Sequence, residues 1–285
     1  TCPLARTDAA LAYYDHGTED DMVLFGGTYG GPTNDTPLLE DTWIFNGSWH
    51  NITPDPLEPY KNSPPPLHYT KMTWDARDGY DVLFGGCVSI SCGNGREMTN
   101  ETWAFEGQPK GLAKWVNLTA SAHAPPPDVV SPGFTFDAKD GYVLLFGGYG
   151  AGPKGGATYL NETWTYTKAT GWVDRTIARS PAPRIWTQMA YYASDREVVL
   201  FAGQESQNKT GNPTLDDTWT FSKGLWTNVT GGLPLLPHGR FGGVMAWDPS
   251  DNALILFGGL SATLVGSPVL DDTWWFTGDW SYETT

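Results

Sequence analysis

The hydrophobic pattern of this chain repeats. An apolar run closed by two small residues, VLFGG at 23–27, returns as VLFGG at 82–86, LLFGG at 144–148, VLFAG at 199–203 and ILFGG at 255–259. About 14 residues further on, each copy carries an acid, a threonine, a tryptophan and an aromatic, starting at Asp41, Glu101, Glu162, Asp217 and Asp272. A lone tryptophan follows in each: Trp49, Trp115, Trp172, Trp226 and Trp280. Ahead of each VLFGG lies another apolar stretch ending near an aspartate: ALAYYD, KMTWD, GFTFD, QMAYYASD and VMAWD. Five copies in 285 residues set a mean period of 57, and self-similarity on that scale marks a repeat architecture.

Each copy predicts four short strands, called a to d here: the apolar stretch, the VLFGG run, the Trp–aromatic segment, and the segment opened by the lone Trp. DARDGYD (75–81), DAKDGYV (137–143) and DPSDNAL (248–254) are tight a–b turns, rich in residues that tolerate positive φ. A four-stranded sheet cannot bury both faces alone, but five packed side by side cover one another. The fold class expected is therefore all-β, a five-bladed β-propeller of four-stranded antiparallel blades. The blades span about 1–53, 54–119, 120–176, 177–230 and 231–285 of a single domain. Closure at five, held by packing with no exchanged clasp strand, is the expectation.

Composition agrees. Residues with charge make up 17%, while 14 Trp, 13 Tyr and 12 Phe accompany 34 Gly and 22 Pro, the profile of many short strands and turns. A formal net charge of −15 argues against nucleic acid and anionic membrane surfaces as partners. No apolar run approaches the roughly 18–20 residues a membrane span needs.

The paired Gly after an apolar strand, the spaced aromatic and the later Trp resemble the kelch repeat, and the resemblance covers the whole chain. It implies a propeller of the galactose-oxidase superfamily, whose rings usually have six or seven blades. The copper site of that family needs Tyr and His ligands and a Cys cross-linked to a Tyr. No such set maps onto this chain, nor does a nucleophile elbow or P-loop, so no cofactor, no metal and no catalytic residue is expected. The five histidines, His16, His50, His68, His123 and His238, show no metal-ligand spacing. Asp8 and Asp128 near the starts of strand a are the acids to consider for a glycoside hydrolase, and the Asp- and Gly-rich b–c loops are candidates for Ca²⁺.

Cys87 and Cys92 sit in one loop and are expected to form a local disulfide, which leaves Cys2 over. Sequons occur at Asn34, Asn46, Asn51, Asn100, Asn117, Asn161, Asn208 and Asn228, eight of twelve asparagines. That density predicts an exported glycoprotein at the cell surface. The b–c and d–a connections are long and share one face, where function on a scaffold tends to lie.

The leading expectation is an extracellular, non-enzymatic interaction or structural module that contacts another surface protein or copies of itself. The alternative is a carbohydrate-binding propeller, using Arg6, Arg184 and Arg240 at the openings of strand a with Tyr29, Tyr60, Tyr149 and Tyr159 from the loops. A third reading is a glycoside hydrolase or oxidase with its site at the channel mouth.

Overall fold

Each repeat folds into an antiparallel sheet in the order a–b–c–d. In blade 1 the strands are Ala10–Asp15, Asp20–Phe25, Thr42–Phe45 and Trp49–Asn51. In blade 2 they are Lys71–Asp75, Tyr80–Phe84, Thr102–Glu106 and Lys114–Asn117. Blade 3 has Gly133–Asp137, Tyr142–Ala151, Ala157–Thr167 and Gly171–Asp174, and blade 4 has Gln188–Tyr192, Glu197–Glu205, Thr214–Ser222 and Leu225–Asn228. Blade 5 has Val244–Asp248, Ala253–Leu260, Val269–Phe276 and Trp280–Tyr282. The fold is all-β, a five-bladed β-propeller.

This computed structural model describes residues 2–15, 20–29, 37–54, 63–92, 97–106, 114–152, 156–205, 213–262, 264, 266 and 268–283. Asn34, Tyr60 and Asn208 lie outside the described residues. The chain forms two compact units, each taken by itself below. The first is Thr1–Ser131 with Gly150–Ala157 and Tyr166–Val173, and the second is Pro132–Tyr149 with Thr158–Thr165 and Asp174–Thr285.

The a–b turns work as the sequence predicts. The Asp75 carboxylate accepts the N–H groups of Arg77 and Asp78, and Asp137 does the same for Lys139 and Asp140. The turns close where Gly79 and Gly141, at φ 75° and 71°, donate back to the same aspartates' carbonyls at 2.8 Å. In blades 3 to 5, however, strands b and c run on past the paired small residues, to Ala151, Glu205 and Leu260. Much of what reads as long b–c loop is thus hairpin, because the alternation resumes beyond the glycines and lets the ladder continue.

One joint recurs between successive blades. In the first unit the Trp115 indole N–H donates to Thr42 Oγ1 at 3.0 Å, and that of Trp172 to Thr102 Oγ1 at 2.9 Å. In the second, Trp226 donates to Thr163 at 2.9 Å and Trp280 to Thr218 at 3.0 Å. Each indole also packs on the Phe that ends strand b of the preceding blade: Phe25, Phe84, Phe146 and Phe201, with centroids 4.7–5.1 Å apart. A buried aromatic with its single donor satisfied contributes both area and geometry, and these four Phe rings have no exposed surface.

The paired glycines belong to the same joint. Gly27, Gly86 and Gly203 donate to the carbonyls of Leu67, Val129 and Arg240, just ahead of strand a in the next blade. A Cβ on Gly26 or Gly85 would sit 2.5 Å from the Leu67 or Val129 carbonyl oxygen, too close for any side chain. Blade 4 has Ala202 there, buried at φ 57°.

The repeated Trp-x-Asn-x-Thr segment of strand d has a structural cause. Asn51, Asn117 and Asn228 accept the N–H of Thr53, Thr119 and Thr230 through Oδ1. Each threonine hydroxyl then accepts the N–H of Thr42, Thr102 or Thr218 in strand c. Blade 3 builds the identical turn with Asp174 and Thr176, so the turn needs an acceptor oxygen and not an amide. All three asparagines are exposed, as is Asn46, while Asn100 and Asn161 are half-buried. Asn117→Asp is accordingly expected to keep the melting temperature, a change within about 0.5 kcal/mol, while Asn117→Ala costs about 1 kcal/mol. Thermal melts of the two variants check this.

Candidate functional site

The three arginines at the openings of strand a are locked into the scaffold. Arg6, Arg184 and Arg240 each grip the acid just ahead of the Thr-Trp pair of strand c in their own blade, Asp41, Asp217 and Asp272, through two bonds of 2.6 and 2.8 Å. Each also donates to backbone carbonyls: Arg6 to Leu4 and Gly26, Arg184 to Ala182 and Ala202, Arg240 to His238 and Gly258. The acids accept the indole N–H of Trp43, Trp219 and Trp274 as well. Burial alone would raise the Asp217 pKa, but the Arg184 and Trp219 hydrogen bonds and the Arg184 charge hold it below the ordinary carboxylate value. In blades 2 and 3 the arginine is Leu67 or Val129 and the acid is Glu101 or Glu162, whose carboxylate accepts the indole N–H of Trp103 or Trp164. Asp goes with Arg, and Glu with an apolar residue.

The loop tyrosines differ among themselves. Tyr29 is exposed, in the first unit. In the second, Tyr149 meets Tyr159 edge-on at 5.6 Å, and Tyr159 is buried with its hydroxyl donating to Gln204.

What the sequence reading missed lies two residues beyond the arginine positions. There, Asp8, Tyr69, Ser131, Trp186 and Gly242 all take the left-handed conformation, at φ 58°, 56°, 52°, 53° and 69°. For a bulky aromatic this is a backbone outlier that costs about 1 kcal/mol or more. It is held by main-chain bonds: Tyr69 donates to the Asp8 carbonyl and Ser131 to the Tyr69 carbonyl at 3.0 Å in the first unit, and Gly242 to Trp186 at 3.3 Å in the second. Main chain is thus constant while the side chains differ in every blade.

In the first unit this array gathers titratable groups. Buried His68 donates through Nε2 to the Ser89 carbonyl at 2.8 Å and stacks on the Tyr69 ring at 4.3 Å. Half-buried Lys71 opens strand a of blade 2. The Asp8 carboxylate acts on all three. Burial lowers the His68 and Lys71 pKa values while Asp8 pulls them back up, and burial and Asp8 together raise that of Tyr69. Asp128, the other acid considered from sequence, has its pKa raised by burial. Cys87 and Cys92 form a disulfide beside His68, with Cys92 Sγ 3.4 Å from Nε2, and Cys2 is free and exposed. His68 and Ser131 are buried, and the His68 Nε2 is spent on the Ser89 carbonyl, whereas Asp8 is exposed and Tyr69 and Lys71 are half-buried: an acceptor, a phenol ring and an ammonium donor near the surface. Displaced pKa values also equip such a cluster for proton transfer.

No protein-family model and no curated protein matches the chain. Solved structures do. The chain is similar to YjhT, with TM-score 0.67 and 14% identity over 98% of this chain and 84% of that one. It is also similar to a fungal alcohol oxidase of the AA5 family in complex with copper, with TM-score 0.54 and 11% identity over 94% of this chain and 62% of the oxidase. At such identities the likeness is one of fold. It nevertheless corrects the expectation of a chain with no enzymatic role: an oxidase carries its chemistry on this architecture, so missing sequence motifs do not exclude catalysis. Copper itself is another matter. Among the described residues the one cluster of three metal-ligating groups is His68 with Cys87 and Cys92, and its sulfurs are bonded to each other. A single imidazole does not fit the Tyr and His ligand set of a copper centre.

No helix of the described residues is long and apolar enough to cross a membrane.

Proposed function

We propose that this chain is an extracellular carbohydrate-binding propeller that takes a sugar at Asp8, Tyr69 and Lys71, backed by the buried His68 and Ser131. The observation that carries this reading is the strained array. Four of five blades keep a side chain where glycine would be free of strain, two of them large aromatics, Tyr69 and Trp186. Strain retained against an available remedy marks a position kept for function. Tyr69 offers a ring face for stacking, Asp8 an acceptor, and Lys71 a donor, the mixture that fixes a sugar's orientation. An oxidising compartment is supported by the Cys87–Cys92 disulfide and by exposed sequons at Asn46, Asn51, Asn117 and Asn228.

A second reading is favoured by the displaced pKa values of His68, Lys71 and Tyr69: the same groups act on the bound sugar by proton transfer, as an enzyme.

Calorimetric titration with a panel of hexoses and hexuronic acids tests the binding. Tyr69→Gly is expected to weaken it at least 10-fold while leaving stability within about 1 kcal/mol, since lost contacts are offset by relieved backbone strain. Unchanged binding in that variant would sink the proposal. Turnover of any bound sugar that disappears in Asp8→Asn would establish the second reading.

A further inference from the structure

Blade 2 gathers a set of metal ligands on a frame that does not depend on the disulfide. His68 and Cys87 form a cross-strand pair: the His68 N–H donates to the Cys87 carbonyl at 3.2 Å and the Cys87 N–H to the His68 carbonyl at 2.9 Å. The same pair recurs as Thr7 with Thr28 in blade 1, Ile185 with Gln204 in blade 4 and Phe241 with Leu260 in blade 5. Thr7 and Thr28 show how near such side chains stand, their hydroxyls bonded at 2.9 Å. The backbone thus keeps the His68 imidazole beside the Cys87 sulfur whether or not that sulfur is cross-linked. The loop that brings Cys92 has its own anchor. The Val88 N–H donates to the Glu97 carbonyl at 2.9 Å, and the hydroxyls of Ser89 and Ser91 both donate to the Glu97 carboxylate.

Four donor atoms converge inside this frame. His68 Nε2, Cys87 Sγ and Cys92 Sγ lie within 4.8 Å of one another. The Ser89 carbonyl oxygen is 2.8 Å from Nε2, 3.0 Å from Cys87 Sγ and 3.8 Å from Cys92 Sγ. A tetrahedral zinc ion bonded to nitrogen at about 2.0 Å and to sulfur at about 2.3 Å sets those two ligands roughly 3.5 Å apart. Cys92 Sγ stands 3.4 Å from Nε2. His68 and Cys87 are buried while Cys92 is partly exposed, which leaves an ion a way in. Packing does not call for these residues. Other blades hold Thr7, Val130, Ile185 and Phe241 in the place of His68, and Thr28, Tyr149, Gln204 and Leu260 in that of Cys87. A disulfide alone has no use for a buried imidazole at its edge.

We propose that the disulfide closes a latent zinc site made by His68, Cys87 and Cys92, with the Ser89 carbonyl as fourth ligand. A dithiol reductant opens it. Two electrons and two protons from the dithiol split the S–S bond into two thiols, and the dithiol leaves as its own disulfide. Zn²⁺ then displaces the two thiol protons. The imidazole carries its single proton on Nδ1 and turns the Nε2 lone pair to the ion, giving up its bond to Ser89. One cross-link replaces another, so the loop stays fastened in either state. The site rests on blade 2 alone and not on the sugar reading.

The test uses the full chain carrying Cys2→Ser, which removes the remaining thiol. Co²⁺ is the probe, read by its thiolate charge-transfer band, after reduction with a phosphine that leaves no competing thiol. The expected result is one cobalt ion per reduced chain, displaced by zinc, and no band from the unreduced chain. Cys92→Ser should abolish the band, and His68→Gln should weaken binding at least about 10-fold. Zinc should also raise the melting temperature of the reduced chain, a readout that stands even if His68→Gln folds poorly. The proposal is overturned by a reduced chain that binds no cobalt, by undiminished affinity in Cys92→Ser or His68→Gln, or by a reduced chain whose melting temperature zinc leaves unchanged.

Discussion

Arg184→Leu is expected to cost about 3–5 kcal/mol, enough to unfold the chain near physiological temperature. The guanidinium is fully buried and bonds Asp217 twice and two carbonyls besides. Removing it leaves a carboxylate at 21% exposure without its cation, and takes one donor each from the Ala182 and Ala202 carbonyls, of which Ala202 keeps the Thr187 hydroxyl. Blades 2 and 3 show how the fold manages without this pair, with Leu67 beside Glu101 and Val129 beside Glu162. The longer glutamate accepts the indole N–H there. The double variant Arg184→Leu with Asp217→Glu therefore converts blade 4 to the other type and is expected to recover more than half of the loss. Urea unfolding of the parent, both single variants and the double variant measures the coupling. A double variant no more stable than Arg184→Leu would mean that the two residue pairs are not interchangeable solutions to one packing problem.

Asp81→Val is expected to stabilise the chain near neutral pH by about 1–3 kcal/mol and to remove much of the pH dependence of its stability. Asp81 lies in strand b of blade 2, cross-strand from Trp74 and Phe105. It is fully buried, and neither oxygen has a hydrogen-bond partner among the described residues. The other four blades carry Met22, Val143, Val198 and Leu254 at this position. Burial raises the Asp81 pKa well above its ordinary value of 3.8. The folded chain therefore holds this proton more tightly than the unfolded chain does. Stability is greatest below the unfolded pKa and falls as pH rises from there towards the folded one. Asp75 adds the same sign over a narrower window, its pKa pushed up by burial to about 6. Melts from about pH 4 to 8 should show the parent losing stability as pH rises, with the slope much reduced in Asp81→Val. A parent whose melting temperature is flat or rises across that range would place a proton acceptor or water at Asp81.

Such a carboxylic acid shows why repeats are informative where they fail. A position occupied by Met, Val, Val and Leu defines an apolar site, and the aspartate among them is visible in the sequence as an exception. Its lack of partners is not, because that depends on what the neighbouring strands bring to it. The Arg–Asp pairs are a similar case. Three equivalent arginines admit two readings from sequence, ligand binding or bonds to backbone carbonyls and acids of the scaffold; the pairing of Asp with Arg and of Glu with Leu or Val is also present in the five copies. Only the 2.6 Å contacts make it plain that the arginines are structural.

The sequence by itself determined the repeat, the four strands of each blade, the tight a–b turns and the role of the paired glycines. All of these follow from alternation, turn chemistry and steric demand within about one repeat's length of chain. Tertiary structure alone decided the rest. The left-handed backbone at Asp8, Tyr69, Ser131 and Trp186 carries no signal within those blades, since only blade 5 has a glycine there, Gly242, and it is imposed by hydrogen bonds reaching across blades. The cluster of Asp8 with His68, Tyr69 and Lys71 joins residues some 60 positions apart, whose pKa values move only once burial removes water.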